Sequence, residues 1–207
     1  MSELIVDSVL DALNRIRLVQ VEVSARHVHL SQSDLEVLFG MGAELTPKRP
    51  LSQVGQFLSE ERVTLIGSKE RKERIAVLGP CRGDTQVELS RSDCVELGID
   101  APVRLSGDVA GSGAITIEGP RGKLNLLHGA IVARNHVHLT PEVAKVMDLT
   151  DMERVTVEIF TERPIAYQNV IVRISERGHN RMHIDFDEAN AAFVEGFTLG
   201  RIIKQLQ

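Results

Sequence analysis

The tetrapeptide His-Val-His-Leu occurs twice in this sequence, at residues 27–30 and 136–139, and a hydroxyl residue follows each copy, Ser31 in the first and Thr140 in the second. Alternate side chains of a β-strand point to the same face, so each copy predicts two imidazole groups side by side. A serine or threonine at the end of a strand favours the start of a helix. The repeat therefore predicts two strand-to-helix units, each with paired histidines suited to a divalent metal ion.

A third segment has the same frame when the repeat is aligned on its apolar and capping positions. Val87-Glu88-Leu89-Ser90 aligns with both histidine copies, so that Glu88 occupies the position of His29 and His138. A carboxylate is also a zinc ligand. A helix-like stretch follows each of the three segments, at residues 32–40, 91–98 and 141–147. We interpret the three as strand, cap and helix units of a duplicated architecture with a shared site.

The alternative for a single His-x-His pair is a solvated strand face, which is its ordinary role. Two copies together with an in-frame glutamate favour metal binding instead, because five candidate ligands then arise from one repeated element.

Composition limits the classes of function. The chain has 207 residues, long enough for one large domain or two small ones. Its 24 basic and 29 acidic side chains give a net charge of −5, and it has one tyrosine, six phenylalanines and no tryptophan. Nucleic-acid binding is therefore not expected, because it needs a basic face and stacking aromatic rings.

The cysteines and the hydropathy pattern predict a cytoplasmic protein. Cys81 and Cys94 form neither a Cys-x-x-Cys motif nor a disulfide framework, as expected in a reducing compartment. No apolar run reaches the length of a membrane span, and the N-terminal residues lack the order of a secretory signal. We therefore expect no interaction with a membrane.

Residues 1–16 predict a short amphipathic helix. The apolar side chains that recur with helical spacing are Ile5, Val6, Val9, Leu10, Leu13 and Ile16. Two interpretations stay open: the helix packs on its own domain, or it docks on the surface of a partner protein.

Short strands dominate the rest of the chain. The predicted strands are residues 19–24, 63–66, 75–78, 103–105, 114–117, 130–133, 155–159 and 170–174. Turns with glycine or proline separate them, for example at Gly79-Pro80 and Gly119-Pro120. This pattern predicts a mainly β protein built from barrels or sandwiches. The segment 48–57 interrupts the pattern and is predicted to be a long, functional loop.

Two further segments carry chemically useful side chains. Arg82 lies in a tight polar turn that leads into the Glu88 strand, where a guanidinium group could hold phosphate in a forked hydrogen bond, or could simply be a surface arginine. In Met182-His183-Ile184-Asp185 a strand leads into a helix, and His183 could complete a metal site.

Several motifs resemble those of one known family over essentially the whole chain. They lie at residues 24–30, 79–82, 85–88, 106–108, 136–138, 182–185 and 187–191. Together they resemble the phosphate propanoyltransferases of the PduL type, which are phosphotransacylases associated with bacterial microcompartments.

The resemblance implies a mainly β fold of two β-barrel domains capped by short α-helices, with a short N-terminal amphipathic helix at residues 1–16. By this likeness one discontinuous barrel contains residues 17–25 and 134–207. The other contains residues 26–133, with an inserted hairpin near residues 40–60.

The family reaction interconverts an acyl-CoA plus phosphate with an acyl phosphate plus free CoA, and it uses two zinc ions. The resemblance implies one ion bound by His27, His29 and Glu88 and a second bound by His136, His138 and His183. It places Arg82 at the phosphate-binding arginine. It places Ser24, Arg49, Leu78 and Asn190 near the CoA pocket.

The expected activity is direct acyl transfer at a two-metal site, with propanoyl-CoA or acetyl-CoA as substrate. The alternatives are a metal-dependent acyl-CoA thioester hydrolase, which would activate water with the same ligands, and a non-catalytic metal-binding module. The resemblance also implies a homodimer or larger homo-oligomer. It implies as well that residues 1–16 could direct the enzyme to shell or lumen proteins inside a bacterial microcompartment.

Overall fold

The computed structural model describes residues 2–176 and 179–204 and shows a mainly β protein. In these residues the helices are α1 (Ser2–Arg15), α2 (Gln32–Phe39), α3 (Arg91–Leu97), α4 (Pro141–Met147) and α5 (Phe186–Ala191). The strands are β1 (Leu18–Val23), β2 (His27–His29), β3 (Pro47–Pro50), β4 (Phe57–Ile66), β5 (Arg71–Gly79), β6 (Gln86–Leu89), β7 (Val103–Arg104), β8 (Gly113–Glu118), β9 (Lys123–Ala133), β10 (His136–Leu139), β11 (Arg154–Ile159), β12 (Ala166–Ile174), β13 (Arg181–Ile184) and β14 (Thr198–Lys204).

The chain forms two compact units. The first unit contains the residues up to Ser24 together with those from Asn135 onward, and the second is Ala25–Arg134. Among the described residues, no helix is both long enough and apolar enough to span a membrane.

The first unit is a closed barrel of six strands in the order β1-β13-β10-β12-β11-β14. Its strands bury alternate residues, as period-two patterning requires; Val155, Val157 and Ile159 of β11 are all buried. Side chains of α4 and α5 join the same core, including Met147 and Ala189.

The second unit also closes into a ring of six strands. The order is β4-β5-β2-β6-β9-β8, and β8 returns to pair with β4. Strand β3 adds to the outer side of β4, and β7 adds to β9. The core of this unit includes Val28, Leu35, Leu97 and Ile117. The expected two barrels capped by short helices are thereby confirmed.

The segment 48–57 differs from the loop that its residues predict. Pro47–Pro50 forms strand β3, which pairs with β4 to make a hairpin, with Pro47 opposite Ser59 and Pro50 opposite Phe57. Proline has no N–H group to donate and is tolerated on an edge strand. Because of the two prolines, the sequence pattern did not predict this strand.

The described residues contain four strand, cap and helix units, one more than the three predicted from sequence. In the second unit β2 lies between β5, which is parallel, and β6, which is antiparallel. In the first unit β10 lies in the same way between parallel β12 and antiparallel β13. Strand β13 and helix α5 are therefore the counterparts of β6 and α3, and both helices begin with a capping box.

Candidate metal centres

His27, His29 and Glu88 lie together on the inner strands of the second unit. The two histidines flank Val28 on β2, whose side chain points into the core, so both imidazoles project from the opposite face. Glu88 on β6 lies directly opposite His27. The three side chains are buried, with exposed fractions of 6%, 2% and 8% respectively.

The donor atoms of this set face one another. His27 Nε2 lies 3.6 Å from Glu88 Oε2, and His29 Nε2 lies 3.9 Å from Glu88 Oε1. His27 Nδ1 lies 2.7 Å from the carbonyl oxygen of Ala25. Because a carbonyl group only accepts hydrogen bonds, Nδ1 carries a proton, so Nε2 is the ring nitrogen that can bind a metal ion when the ring is neutral.

A second layer of polar groups holds the Glu88 carboxylate. Gln86 Nε2 donates to Glu88 Oε1 at 2.6 Å, and the Ser106 hydroxyl donates to the same oxygen at 2.7 Å. The backbone N–H of Gly107 donates to Gln86 Oε1 at 2.7 Å. These bonds orient Glu88 with Oε2 toward His27, and such supporting groups tune the affinity of a metal site.

Arg82 joins this network from the turn before β6. Its backbone N–H donates to the carbonyl oxygen of Leu30 at 2.9 Å, which fixes the turn beside the end of β2. Its guanidinium donates from Nη1 to the hydroxyl of Ser106 at 3.1 Å. The side chain is half-buried, and through Ser106 it places a cationic group beside the candidate metal ligand Glu88.

The charges of the site shift the pKa values of its ionisable groups. Burial works against ionisation of Glu88, but the neighbouring His27 and His29 hold the pKa of Glu88 well below its usual value. Burial, with the positive charges of His27 and Arg82, lowers the pKa of His29. Glu88 is therefore ionised and His29 neutral near neutral pH, which are protonation states that metal ligands require. Burial works against ionisation of His27, but the Glu88 carboxylate and the hydrogen bond to Ala25 raise its pKa, so a metal ion would displace a proton from this ring.

His136, His138 and His183 form the corresponding set in the first unit. His136 and His138 flank the buried Val137 on β10, and His183 on β13 lies directly opposite His136. The Nε2 atoms of His136 and His138 are 3.0 Å apart, and the ring centre of His183 lies 5.2 Å and 5.0 Å from those of His136 and His138. Burial and the neighbouring His136 and His183 lower the pKa of His138 to about 3, so its imidazole is neutral.

Both sets suit a divalent transition-metal ion. Within each set the donor atoms all lie within 4.8 Å of one another. Imidazole nitrogens with at most one carboxylate are the donors that zinc prefers, and three protein donors leave a coordination position open, as in catalytic zinc sites. The sequence-predicted ligand residues are thus brought together in two groups of three.

The four residues assigned to the CoA pocket lie in two places. In the second unit Arg49 on β3 and Leu78 on β5 are both paired with Leu58 on β4, so the three form one row across the sheet. In the first unit Ser24 follows β1, and Asn190 is an exposed residue of α5. Arg49 is exposed, and Leu78 is half-buried.

Three residues near the metal centres were missed by the sequence interpretation: Gln86, Ser106 and Glu22. Gln86 lies two residues before Glu88 on β6, so strand periodicity could have found it. Ser106 lies in a turn distant in sequence from Glu88, and no local pattern connects them. Glu22 on β1 pairs with His183, which depends on the register of the barrel.

Comparison with known proteins gives one consistent result. The profile of the phosphate propanoyltransferase family matches residues 20–195. A phosphate propanoyltransferase of Clostridioides difficile is 41% identical over 201 residues, which cover 97% of this chain and 96% of the relative. Phosphate propanoyltransferases of Listeria monocytogenes and Alkaliphilus metalliredigens are 44% and 45% identical, each over 90% of this chain and 88% of the relative.

Proposed function

This chain belongs to the phosphate propanoyltransferase family, and we propose that it interconverts a short-chain acyl-CoA plus phosphate with an acyl phosphate plus free CoA. The observation that carries the proposal is the link from Arg82 through Ser106 to Glu88. This link sets an anion-binding side chain beside a set of metal-binding residues.

The reaction joins an anion to a carbonyl carbon. A phosphate oxygen forms the new bond to the acyl carbon, the carbon–sulfur bond breaks, and the electron pair leaves on the CoA sulfur. Phosphate must therefore be held and oriented before it can react. Arg82 supplies a planar cation that can donate two parallel hydrogen bonds to phosphate, and Ser106 restricts the positions that this guanidinium can adopt.

His27, His29 and Glu88 would hold one zinc ion, and His136, His138 and His183 would hold a second. When bound, such ions supply Lewis-acid chemistry that polarises a carbonyl group and stabilises a thiolate. Gln86 and Ser106 keep the Glu88 carboxylate oriented toward His27. The hydrogen bond from His27 Nδ1 to Ala25 keeps that imidazole in one tautomer.

We propose direct transfer to phosphate without an acyl-enzyme intermediate. The nucleophilic side chain nearest to Arg82 in sequence is Cys81. Burial raises the pKa of the Cys81 thiol, so the reactive thiolate is disfavoured near neutral pH. In this proposal phosphate is the group that attacks the acyl carbon, and Arg82 holds that phosphate.

The row formed by Arg49, Leu58 and Leu78 supports a CoA-binding role in the second unit. Residues paired directly across neighbouring strands have side chains on one face, so an exposed cation is followed by two apolar side chains. A CoA molecule has phosphate groups at one end and a thin, less polar pantetheine arm, which match this order. Ser24 and Asn190 are proposed as further CoA contacts.

The test is the release of free thiol from propanoyl-CoA and acetyl-CoA, measured with and without phosphate. We expect release to require phosphate and to fall on the order of 10²-fold in Arg82→Ala, since a preorganised charge-stabilising group is lost. Arg121→Ala is the control, because Arg121 is an exposed arginine of the same unit. Thiol release without phosphate would instead support a hydrolase, and no release by the metal-loaded protein would support a binding module.

We further propose that α1 docks on shell or lumen proteins of a microcompartment, in a homo-oligomeric enzyme. Ile5, Val6, Val9 and Leu10 of this helix are all exposed, so an apolar stripe is left for a partner. Deleting residues 1–16 should abolish co-fractionation with shell proteins. Unchanged co-fractionation of the truncated enzyme would contradict the targeting role.

A further inference from the structure

A carboxylate of β1 lies beside the three histidines of the first unit. Glu22 on β1 pairs with His183 on β13, and His183 pairs with His136 on β10. Side chains paired across adjacent strands lie on the same face. Glu22, His183 and His136 therefore form one row, and the row continues directly into the metal-binding residues.

The distance from Glu22 to His183 lies between the two carboxylate–histidine distances of the other set. Glu22 Oε2 lies 3.8 Å from His183 Nε2, and this oxygen atom is buried. In the other set, the distances from the Glu88 carboxylate oxygens to the Nε2 atoms of His27 and His29 are 3.6 Å and 3.9 Å. Glu22 thus lies about as close to one histidine of its set, His183, as Glu88 lies to each of its two histidines.

The two units supply this carboxylate from different positions. In the second unit, Glu88 of β6 is the residue opposite the first histidine, and its neighbour on the parallel strand β9 is Ile131. In the first unit the residue opposite the first histidine is His183, and its neighbour on the parallel strand β1 is Glu22. Each unit thus has one carboxylate close to its histidines, on β6 in the second unit and on β1 in the first.

One cation competes for Glu22. Arg181 precedes His183 by two residues on β13, and its Nη1 atom lies 3.5 Å from Glu22 Oε2. This separation exceeds that of a good N–H···O hydrogen bond. The ion pair is also partly exposed, and such pairs contribute little to stability.

We propose that Glu22 is a fourth protein donor to the metal ion bound by His136, His138 and His183. This inference rests on one part of the proposed function, namely that the three histidines bind an ion. A carboxylate donor lowers the net charge of the bound ion by one, so both sites carry the same charge. Glu22 would also occupy a coordination position of the ion in the first unit. Water or substrate would then have to displace Glu22 or bind beside it.

The experiment uses Co²⁺ as the probe in full-length His29→Ala protein, in which the set of the second unit is disrupted and the three histidines remain. Glu22→Gln and Glu162→Gln are compared in this background; Glu162 is an exposed glutamate of the same unit, so the change of charge is matched. We expect Glu22→Gln to weaken Co²⁺ binding at least about 10-fold. We also expect it to change the visible absorption bands of the bound ion, because these report the donor set. Glu162→Gln should alter neither.

The outcomes separate this inference from the proposed function. Unchanged Co²⁺ affinity and unchanged absorption bands in Glu22→Gln would overturn the inference and leave Glu22 as an ion-pair partner of Arg181. If His29→Ala protein with Glu22 intact binds no Co²⁺, the ion site of the three histidines is itself refuted, and Glu22 has no ion to bind. Phosphate-dependent thiol release and its loss in Arg82→Ala test the activity independently of Glu22.

Discussion

The hydroxyl group of Ser106 connects the two kinds of chemistry at the site in the second unit. It donates to Glu88 Oε1 and accepts from Arg82 Nη1, so one oxygen atom orients both the proposed metal ligand and the guanidinium proposed to bind phosphate. Gln86 Nε2 donates to the same hydroxyl at 3.0 Å. The position of this hydroxyl is therefore fixed by three neighbours.

Replacing Ser106 by alanine should weaken metal binding and phosphate use together. Glu88 loses one of its two orienting hydrogen bonds, and changes of this kind cost about 10- to 100-fold in metal affinity or activity. The measurement is zinc affinity by competition with a chelator, together with the KM for phosphate. Ser112→Ala is the control, because the Ser112 hydroxyl also makes two hydrogen bonds but lies outside this network. Equal effects of the two substitutions would mean that Ser106 only stabilises the fold.

Glu188 also has an environment that differs strongly from water. Asn135 Nδ2 donates to Glu188 Oε1 at 2.6 Å, and the backbone N–H of Asp185 donates to Oε2 at 3.1 Å. Burial, aided by the charge of Asp185, raises the pKa of Glu188 to about 7. Asn135 directly precedes His136, so Glu188 ties α5 to the start of β10.

This raised pKa predicts that Glu188 makes the free energy of unfolding decrease as pH rises. The folded state holds the proton up to about pH 7, whereas the unfolded chain releases it near pH 4.3. The contribution is therefore complete below the unfolded pKa and is lost as pH rises through the folded one, for a total of about 4 kcal/mol.

Glu188→Gln should remove this dependence, because the amide keeps the shape of the side chain without titrating. Asn135 can turn its own amide to accept the new N–H group. Urea unfolding at about pH 5 and about pH 8 should show the variant gaining stability over the parent protein as pH rises. A stability difference that is the same at both pH values would exclude a buried, protonated Glu188.

At the scale of elements, each candidate ligand strand ends in a residue that caps the next helix. The Ser31 and Ser90 hydroxyls accept from the backbone N–H groups of Asp34 and Asp93, both at 3.2 Å, and Thr140 accepts from Val143 at 3.4 Å. The fourth strand, β13, uses the carboxylate of Asp185 in the same way, at 2.8 Å from the nitrogen of Glu188. In each of the four copies the cap lies two residues after the candidate ligand, so the ligand stands at the end of its strand, just before the helix.

Replacing Ser90 by alanine should destabilise the protein by about 1 kcal/mol. Ser90 is buried, and its backbone N–H donates to the side chain of Asp93 while its hydroxyl accepts from the backbone N–H of Asp93, so the substitution removes half of a capping box. The measurement is the free energy of unfolding in urea. Ser92→Ala, at an exposed position of the same helix, should change that free energy by no more than about 0.5 kcal/mol. Similar losses in the two variants would contradict the role of the cap.

At the scale of the whole molecule, each unit has its own core and its own set of three candidate ligands. The ligands of each set come from two neighbouring strands of one barrel. A bound ion therefore cross-links strands that are distant in sequence, and it stabilises the folded chain at the expense of the unfolded one.

We expect two zinc ions per chain, one per unit. His29→Ala and His183→Ala should each retain one ion, and the double variant should retain none. His128→Ala is the control and should retain two, because His128 is exposed and lies outside both sets. Stripping the metal should lower the free energy of unfolding, by about 2.7 kcal/mol for a site previously at a free-ion concentration of 100 Kd. The readouts are elemental analysis and urea unfolding, and a count of two ions in either single variant would refute the ligand sets.

Much of the fold followed from local patterns. Alternation of apolar residues predicted most strands, and hydroxyl residues after ligand strands predicted α2, α3 and α4. The residue pattern alone missed strand β3 because proline disfavours strands, although an edge strand accepts it; the resemblance did imply a hairpin near residues 40–60. The unit of β13 and α5 was not recognised as a fourth copy of the repeat because its cap is Asp185, where the other three copies have a hydroxyl residue.

What the sequence alone determined is which ligands share a strand. His27 with His29, and His136 with His138, lie on one face because strand side chains have a period of two. The tertiary structure decided which strands meet. His183 lies opposite His136, Glu22 beside His183, and Ser106 between Glu88 and Arg82. These neighbours depend on strand order and register. Strand order and register are determined by contacts distant in sequence, because each barrel must close and each core must be buried.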